Sequence, residues 1–99
     1  MANRSIVWDS LAFKHFSSAI EFIAKDSIAN AEKIRIEILD KIDNLATHPE
    51  MHPPDKYKSD NNGLYRAFEI YRFRIAYYNG QDFIRIIRFR HTSREPRNY

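Results

Sequence analysis

The sequence predicts an α+β fold of order β-α-α-β-β-β, in which an N-terminal helical hairpin packs on one face of a small, mainly antiparallel sheet. Three observations predict this fold: helical apolar spacing in the first half of the chain, strand-like alternation after Gly63, and an irregular proline-bearing segment between them, from His48 to Gly63. Apolar residues recur about every 3.6 positions in a surface helix and every second position in a half-buried strand. A chain of 99 residues is expected to form one domain, residues 1–99.

The first half of the chain is expected to form a short strand followed by two helices. Residues 5–8 are the predicted strand, and Asp9-Ser10 and Asp26-Ser27 can each cap the start of a helix. The second helix ends by Thr47, because Pro49 disfavours helical geometry just before it. Each helix carries one apolar stripe: Ala12 or Phe13, Phe16, Ala19, Ile20 and Ile23 on the first, and Ala31, Ile34, Ile38, Ile42 and Leu45 on the second.

The same spacing assigns the large aromatic side chains to the core. They are Trp8, Phe13, Phe16, Phe73 and Tyr77. His15 lies beside the stripe of the first helix and is expected to be a partly buried packing residue.

Three strands are predicted after Gly63, over residues 64–70, 71–78 and 81–89. Asn79-Gly80 separates the last two, and this dipeptide strongly favours a two-residue type I′ hairpin because both positions tolerate positive φ. Such a turn pairs Tyr78 with Gln81, Ala76 with Phe83, Arg74 with Arg85, and Arg72 with Ile87.

Alternation along these strands separates two faces of the sheet. The face suited to the helical hairpin carries Phe73, Ile75, Tyr77, Ile84 and Ile86, and Arg88 falls on this side near its rim. The opposite face carries Arg72, Arg74, Arg85 and Ala76. Like charges directly opposite each other destabilise a sheet, so a bound phosphate or a partner's carboxylate is expected to offset the repulsion.

Charge is unevenly distributed along the chain. Residues 1–62 hold 8 lysines and arginines against 10 acids, whereas residues 63–99 hold 8 arginines, no lysine and 3 acids. Arginine is preferred to lysine where a planar, two-pronged contact with phosphate or carboxylate is needed. The second half therefore predicts an anionic partner.

Several classes of protein are disfavoured by composition. The chain has no cysteine, no apolar run of the roughly 20 residues that cross a bilayer, and no signal-peptide layout, so a cytoplasmic protein without membrane association is expected. Neither a metal nor a cofactor is expected. The acids of the second half, Glu69, Asp82 and Glu95, show no ligand spacing, and prolines interrupt the spacing of His48 and His52.

The element order and the residues themselves resemble the RelE/ParE superfamily of toxins over nearly the whole chain. In the first half the resemblance rests on Trp8, residues 19–24, Ala31, and residues 42–45 followed by His48-Pro49. In the second half it rests on residues 65–68, 73–77, 84–88 and 90–99.

The resemblance implies a compact toxin that is neutralised by a cognate antitoxin encoded next to it, whose tail wraps the toxin. RelE-like members cut mRNA in the ribosomal A site without a metal, whereas ParE-like members poison DNA gyrase and cleave nothing. The long helical hairpin resembles ParE, and the arginines and the histidine- and tyrosine-bearing tail resemble RelE. Ribosome-dependent mRNA cleavage is the mechanism expected first. A gyrase inhibitor without catalysis and a degenerate member that only binds antitoxin are the alternatives.

The RelE pattern also implies a catalytic set, consisting of Arg66, Arg74, His91, Arg94 and Tyr99. Arg74 matches the arginine at the scissile phosphate and Arg66 a lysine position near it, although Phe68 replaces a second basic residue of RelE. Gripping an acidic antitoxin is the alternative role for the two arginines, and a structural hydrogen bond is the alternative for His91. Binding of nucleic acid or antitoxin is expected of Arg72, Arg85, Arg90 and Arg97.

Overall fold

The computed structural model of the protein describes residues 4–94 and 97–99 and confirms the predicted α+β order. The elements are β1 (Ser5–Trp8), α1 (Ser10–Asp26), α2 (Ile28–Asp43) with a 3₁₀ turn at Asn44–Ala46, β2 (Tyr65–Ile70), β3 (Phe73–Asn79) and β4 (Phe83–His91). Glu95, considered above as a metal ligand, lies outside the described residues. Within those ranges, no helix has the length and apolar composition needed to cross a membrane.

The four strands form one sheet in the order β1-β4-β3-β2. The first strand runs parallel to β4, and the other neighbouring pairs are antiparallel, which confirms the predicted, mainly antiparallel sheet. Both helices cover the same face of this sheet, which we call the helix face, and the opposite side is the open face. The core between helices and sheet includes Phe16, Ile34, Ile38 and Ile42 from the helices and Ile75, Tyr77, Ile84, Ile86 and Phe89 from the strands.

The predicted helix starts and the stripe of α2 are confirmed, and two predictions on α1 are wrong. Ser27 caps α2 by accepting a hydrogen bond from the backbone N–H of Asn30 at 3.0 Å. Ala12, not Phe13, fills the first core position of α1, because the phase of the helix leaves Phe13 49% exposed. His15 is likewise exposed, although it directly precedes the buried Phe16 in the chain.

The hairpin turns also differ from the prediction. Asn79 is still part of β3 and pairs with Ile84, so Gly80 opens a longer loop that is closed by its N–H bonding to the Phe83 carbonyl at 2.9 Å. The two-residue turn with positive φ joins β2 to β3 instead, at Tyr71 (53°) and Arg72 (66°). This turn places Arg72 at a hairpin tip rather than among the arginines of the open face.

A β-bulge changes the register between β3 and β4. Tyr77 pairs with Ile86 and Ala76 with Arg88, so that Ile87 has no partner across the ladder. The longer loop and the bulge together make the predicted pairs wrong: the loop places Tyr78 opposite Arg85, and the bulge then places Arg74 opposite Arg90. Because the extra residue resets the alternation, Arg88 lies on the open face and not on the helix face.

Candidate functional site

Basic and aromatic side chains from three strands meet on the open face. Cross-strand pairing places Tyr65, Ala67 and Glu69 of β2, Arg74, Ala76 and Tyr78 of β3, and Arg85, Arg88 and Arg90 of β4 on this side. Arg85 lies at the far end of this face and forms an ion pair with Asp9 at 2.9 Å. In the part of the chain that the structure describes, no helix packs over this face, so it is accessible except where loops cover it.

The segment between α2 and β2 folds over one side of the open face. Its backbone extends the ladder beyond β2, because Asp55 donates its N–H to the Tyr65 carbonyl at 2.8 Å and Ala67 donates to Pro53 at 3.3 Å. The Asn61 side chain fixes the loop by donating to the carbonyls of Asp55 and Tyr65. Asp55 is therefore carried onto the sheet with only 3% of its surface exposed.

Asp55 and Arg74 form a buried ion pair at the centre of this contact. The guanidinium donates to Asp55 Oδ1 at 2.8 Å and to Glu69 Oε2 at 3.0 Å, and it lies 4.8 Å from the ring centre of Tyr57. Burial favours the neutral acid, but hydrogen bonds from Tyr99, Arg74 and the Tyr57 N–H outweigh it and lower the pKa of Asp55. Arg74 is thus held charged and already has two carboxylate partners.

Residues 97–99, which we call the strap, dock against the same loop. The Tyr99 hydroxyl donates to Asp55 Oδ2 at 2.6 Å, and the Tyr99 backbone exchanges hydrogen bonds with Tyr57 (3.0 Å) and Ser59 (2.6 Å). Burial, together with the hydrogen bond to Asp55, raises the pKa of Tyr99 above its usual range. The phenol is therefore neutral near physiological pH and acts as a hydrogen-bond donor.

Four more arginines surround a cavity beside this pair. The cavity has a volume of about 100 Å³, and Arg88, Arg90, Arg94 and Arg97 line one side of it. Arg88 stacks over the Tyr99 ring at 4.4 Å and donates to the carbonyl of Arg97 at 2.8 Å. Burial and then the charges of Arg88, Arg97 and Arg94 lower the pKa of Arg90. We call these four residues the arginine cluster.

The structure does not bring the five predicted catalytic residues together. Arg74 and Tyr99 meet at Asp55, and Arg94 borders the cavity. Arg66 pairs with Tyr77 in the ladder, so its side chain lies on the helix face, where it donates to the His52 carbonyl at 2.7 Å. His91 lies at the end of β4, where its ring packs edge-on against Phe73 at 5.4 Å and the residue also lines the cavity beside Arg74.

The remaining predicted binding arginines are also distributed over several places. Arg90 and Arg97 belong to the arginine cluster, whereas Arg85 lies at the opposite end of β4 with its partner Asp9. Arg72 lies at the β2–β3 turn, facing a groove between that turn and α1. Sequence analysis overlooked Asp55 and Tyr57, because an acid in an irregular segment gives no periodic signal.

A second concavity, a groove on the helix side, has a volume of about 830 Å³. Its apolar surface is contributed mainly by Ala19, Phe22, Ile23, Phe73 and Phe89. Arg72 and Arg94 border it, and no acidic residue lines it within the described part of the chain. Phe22 is 69% exposed there, which is unusual for so large an apolar side chain.

Comparison with protein families decides the class of the protein. A family model described as the ParE toxin of the type II toxin–antitoxin system parDE matches residues 6–96. The chain belongs to the ParE toxin family. It is therefore the toxin component of a type II toxin–antitoxin pair, and an antitoxin is its partner. A search of curated proteins gives no match.

Membership of the ParE toxin family agrees with the observed fold. The matched residues run from β1 to the tail after β4, so that they include the helical hairpin, the open face and the groove. The resemblance seen in the sequence is thereby confirmed at the level of family and fold.

Proposed function

We propose that this ParE family toxin inhibits growth by binding DNA gyrase and not by cutting RNA. The observation that carries the proposal is the position of Arg66, whose side chain lies on the helix face, away from Arg74 and Tyr99 on the open face. A binding toxin needs an exposed surface but no convergent acid, base and phosphate contact. The match to the ParE family, rather than to a RelE-like one, supports the same choice.

The chemistry of RNA cleavage makes this separation informative. Attack of a 2′-hydroxyl needs a base, an acid, and positive charge around a single phosphate. Here the charge of Arg74 is already balanced by Asp55 and Glu69. The Tyr99 phenol has a raised pKa, which makes it a poor base, and the Nδ1 of His91 accepts the N–H of Ser93 at 3.1 Å.

The two mechanisms are separated by inducing the toxin in cells. Gyrase inhibition is expected to produce an SOS response while mRNA stays intact, and purified toxin should block DNA supercoiling by purified gyrase. Primer extension on mRNA provides the opposing readout. Cuts at codon positions that require translating ribosomes would overturn the proposal.

Side-chain variants give a second, independent test. Arg66→Gln and His91→Gln should keep their growth inhibition, because neither group is needed for chemistry. Loss of a group that transfers a proton typically lowers a rate by about 10²–10⁴-fold, so RNA cleavage would make His91→Gln nearly harmless. Both variants should be expressed in soluble form together with bound antitoxin, which shows that they fold.

We also propose the groove as the docking site for the antitoxin. Its apolar floor and arginine border fit an amphipathic helix with acidic residues along one edge, a common way for a protein to capture a helical segment. Charge complementarity favours this occupant, because Arg72 and Arg94 have no acidic neighbour in the groove among the described residues.

A matched pair of variants tests the groove. Phe22→Ala should weaken antitoxin binding at least about tenfold, as expected for an aromatic anchor near the centre of an interface. Ile28→Ala removes an even more exposed side chain outside the groove, at the start of α2, and should leave the affinity unchanged. Equal affinities of the two variants in calorimetric titration would contradict the docking site.

A further inference from the structure

The arginine cluster has no charge partner in the described structure. The cavity is lined by two acids, Asp55 and Glu69, and both are bonded to Arg74. Within residues 4–94 and 97–99, no carboxylate lies within ion-pair distance of Arg88, Arg90, Arg94 or Arg97. Among the described residues, four arginines therefore border one small cavity without a carboxylate bonded to any of them.

Strand pairing in the sheet increases the electrostatic repulsion among these arginines. Arg74 and Arg90 lie directly opposite each other on neighbouring strands. Arg88 lies on the same face of β4, two residues earlier in the chain than Arg90. Like charges at such positions destabilise a sheet. Asp55 and Glu69 relieve the charge of Arg74, but Arg90 lies partly buried between three other arginines. An anion bound in the cavity would reduce the repulsion that remains between Arg90 and the neighbouring arginines.

The strap covers part of the same cavity through contacts that carry no negative charge. Arg88 contacts the Tyr99 ring face and the Arg97 carbonyl, and Tyr99 is fastened by its hydroxyl to Asp55. These contacts engage the guanidinium of Arg88, which lines the cavity but is stacked on the Tyr99 ring and bonded to a backbone carbonyl. Release of Tyr99 would leave Arg88 free to turn toward the cavity.

We propose that the cavity is a phosphate-binding site centred on Arg90, and that the strap restrains it by holding Arg88. The guanidinium fork matches the oxygens of phosphate, and a multiply charged oxyanion balances four cations better than a single carboxylate does. A cavity of about 100 Å³ is several times the space that one water needs and has room for one such group. The proposal is independent of the gyrase proposal, because its test uses the toxin alone.

The site is tested by thermal unfolding of the purified chain in sodium phosphate and in sodium chloride at equal ionic strength. Phosphate at ten times its dissociation constant should raise the Tm by about 7 °C. Arg90→Gln should abolish the difference. Arg85→Gln is the matched control, since this arginine lies on the same face but pairs with Asp9, and it should keep the full shift.

Three outcomes of this comparison would overturn the site. They are equal Tm values in phosphate and chloride, an unchanged shift in Arg90→Gln, and an equal shift with acetate, which would indicate general anion binding. A short single-stranded oligonucleotide distinguishes the sources of phosphate. Binding that depends on Arg90 assigns a nucleic-acid backbone, and a shift with inorganic phosphate alone assigns the free ion.

The restraint by the strap is tested with Tyr99. Tyr99→Ala should raise the phosphate affinity at least about threefold in calorimetric titration, because Arg88 becomes available. Tyr99→Phe keeps the ring under Arg88 but loses the hydrogen bond to Asp55, so an intermediate gain in phosphate affinity is expected. It serves as a second, more conservative variant. Tyr71→Ala, an exposed tyrosine outside the cavity, is the control. An unchanged affinity in both Tyr99 variants would overturn the restraint.

Discussion

At the scale of single residues, Asp55 connects three parts of the chain. Its carboxylate accepts hydrogen bonds from Arg74 of β3, from Tyr99 of the strap and from the N–H of Tyr57 in its own loop. A buried carboxylate is costly unless it is paired and fully hydrogen-bonded. Asp55 meets that requirement, and its position therefore fixes the loop and the strap on the sheet.

Asp55→Asn is expected to lower the free energy of unfolding by about 3 kcal/mol, because it leaves Arg74 without its buried partner. Asp9→Asn breaks the ion pair with Arg85, whose side chains are each about two-fifths exposed, and should cost less than about 1 kcal/mol. Urea denaturation of both variants measures the difference. Similar losses in the two variants would show that the Asp55 pair contributes no more than a surface pair.

Tyr77 makes the protein sensitive to alkali. Its side chain is fully buried and donates to the Pro49 carbonyl at 2.7 Å, and burial raises its pKa to about 12. Because the folded pKa lies above the unfolded value near 10, this stabilisation is complete below pH 10 and is lost as the pH rises toward 12. The expected loss over that interval is about 2 kcal/mol in the free energy of unfolding.

The variant Tyr77→Phe isolates this contribution from the other tyrosines. Its unfolding free energy, measured in urea from pH 9 to 12, should fall less steeply than that of the unchanged chain. Parallel pH profiles for the two proteins would contradict the assignment to Tyr77.

The number and type of charged residues at the site could be predicted from the sequence, but the contact partners of each residue could not. Eight arginines in the second half correctly indicated a basic face, but the strand in which each arginine lies does not determine its partner. Asp55 belongs to an irregular loop and is brought to Arg74 only by the pairing of Pro54 with Arg66 and of Asp55 with Tyr65. Such long-range contacts leave no trace in local spacing.

At the scale of elements, the strands and helices followed the sequence closely, whereas the turns did not. Apolar spacing placed both helices and the four strands to within a few residues. The Asn79-Gly80 signal was wrong because β3 continues through Asn79, and the turn with positive φ is formed by Tyr71 and Arg72, which rarely adopt it. In the observed register, Phe73 stacks on Phe89 in the core, with 4.9 Å between the ring centres.

The bulge in β4 yields a sharper prediction. Deletion of Ile87 joins Ile86 directly to Arg88, and these two residues already pair with the consecutive residues Tyr77 and Ala76. The shortened strand keeps every other pair, so it should fold, with a loss of about 1–2 kcal/mol from the repacked side chain.

Deletion of Arg85 is the matched control for Ile87. It displaces Phe83 and Ile84 against both β1 and β3, and a slip of one residue turns each side chain to the other face. Circular dichroism and urea denaturation should show a folded chain without Ile87 and an unfolded or severely weakened one without Arg85. Equal behaviour of the two deletions would contradict the observed register.

At the scale of the whole molecule, a single core ties the helical hairpin to the sheet. Ile38 is completely buried at that boundary, so Ile38→Ala should cost about 3 kcal/mol, whereas Ile28→Ala, 78% exposed in the same helix, should cost less than about 0.5 kcal/mol. Trp8, the single tryptophan, packs on Phe16 of α1 at 5.2 Å and reports on the same boundary by fluorescence.

Unfolding followed by Trp8 fluorescence and by far-ultraviolet circular dichroism should give coincident transitions, because helices and sheet share that core. Two separate transitions would show that the hairpin and the sheet unfold independently. The groove and the cavity are adjacent, since Arg90, His91 and Arg94 at the end of β4 and just after it line both.

The unpaired residue in β4 also bears on how this chain is aligned with its relatives. β4 consists of two regular half-strands, Phe83 to Ile86 and Arg88 to His91, joined by one residue that the ladder skips. An alignment with a relative that lacks the bulge needs a one-residue gap at Ile87. Without that gap, Arg88 and Arg90 are matched to buried positions of the relative, and Phe89 is matched to an exposed one.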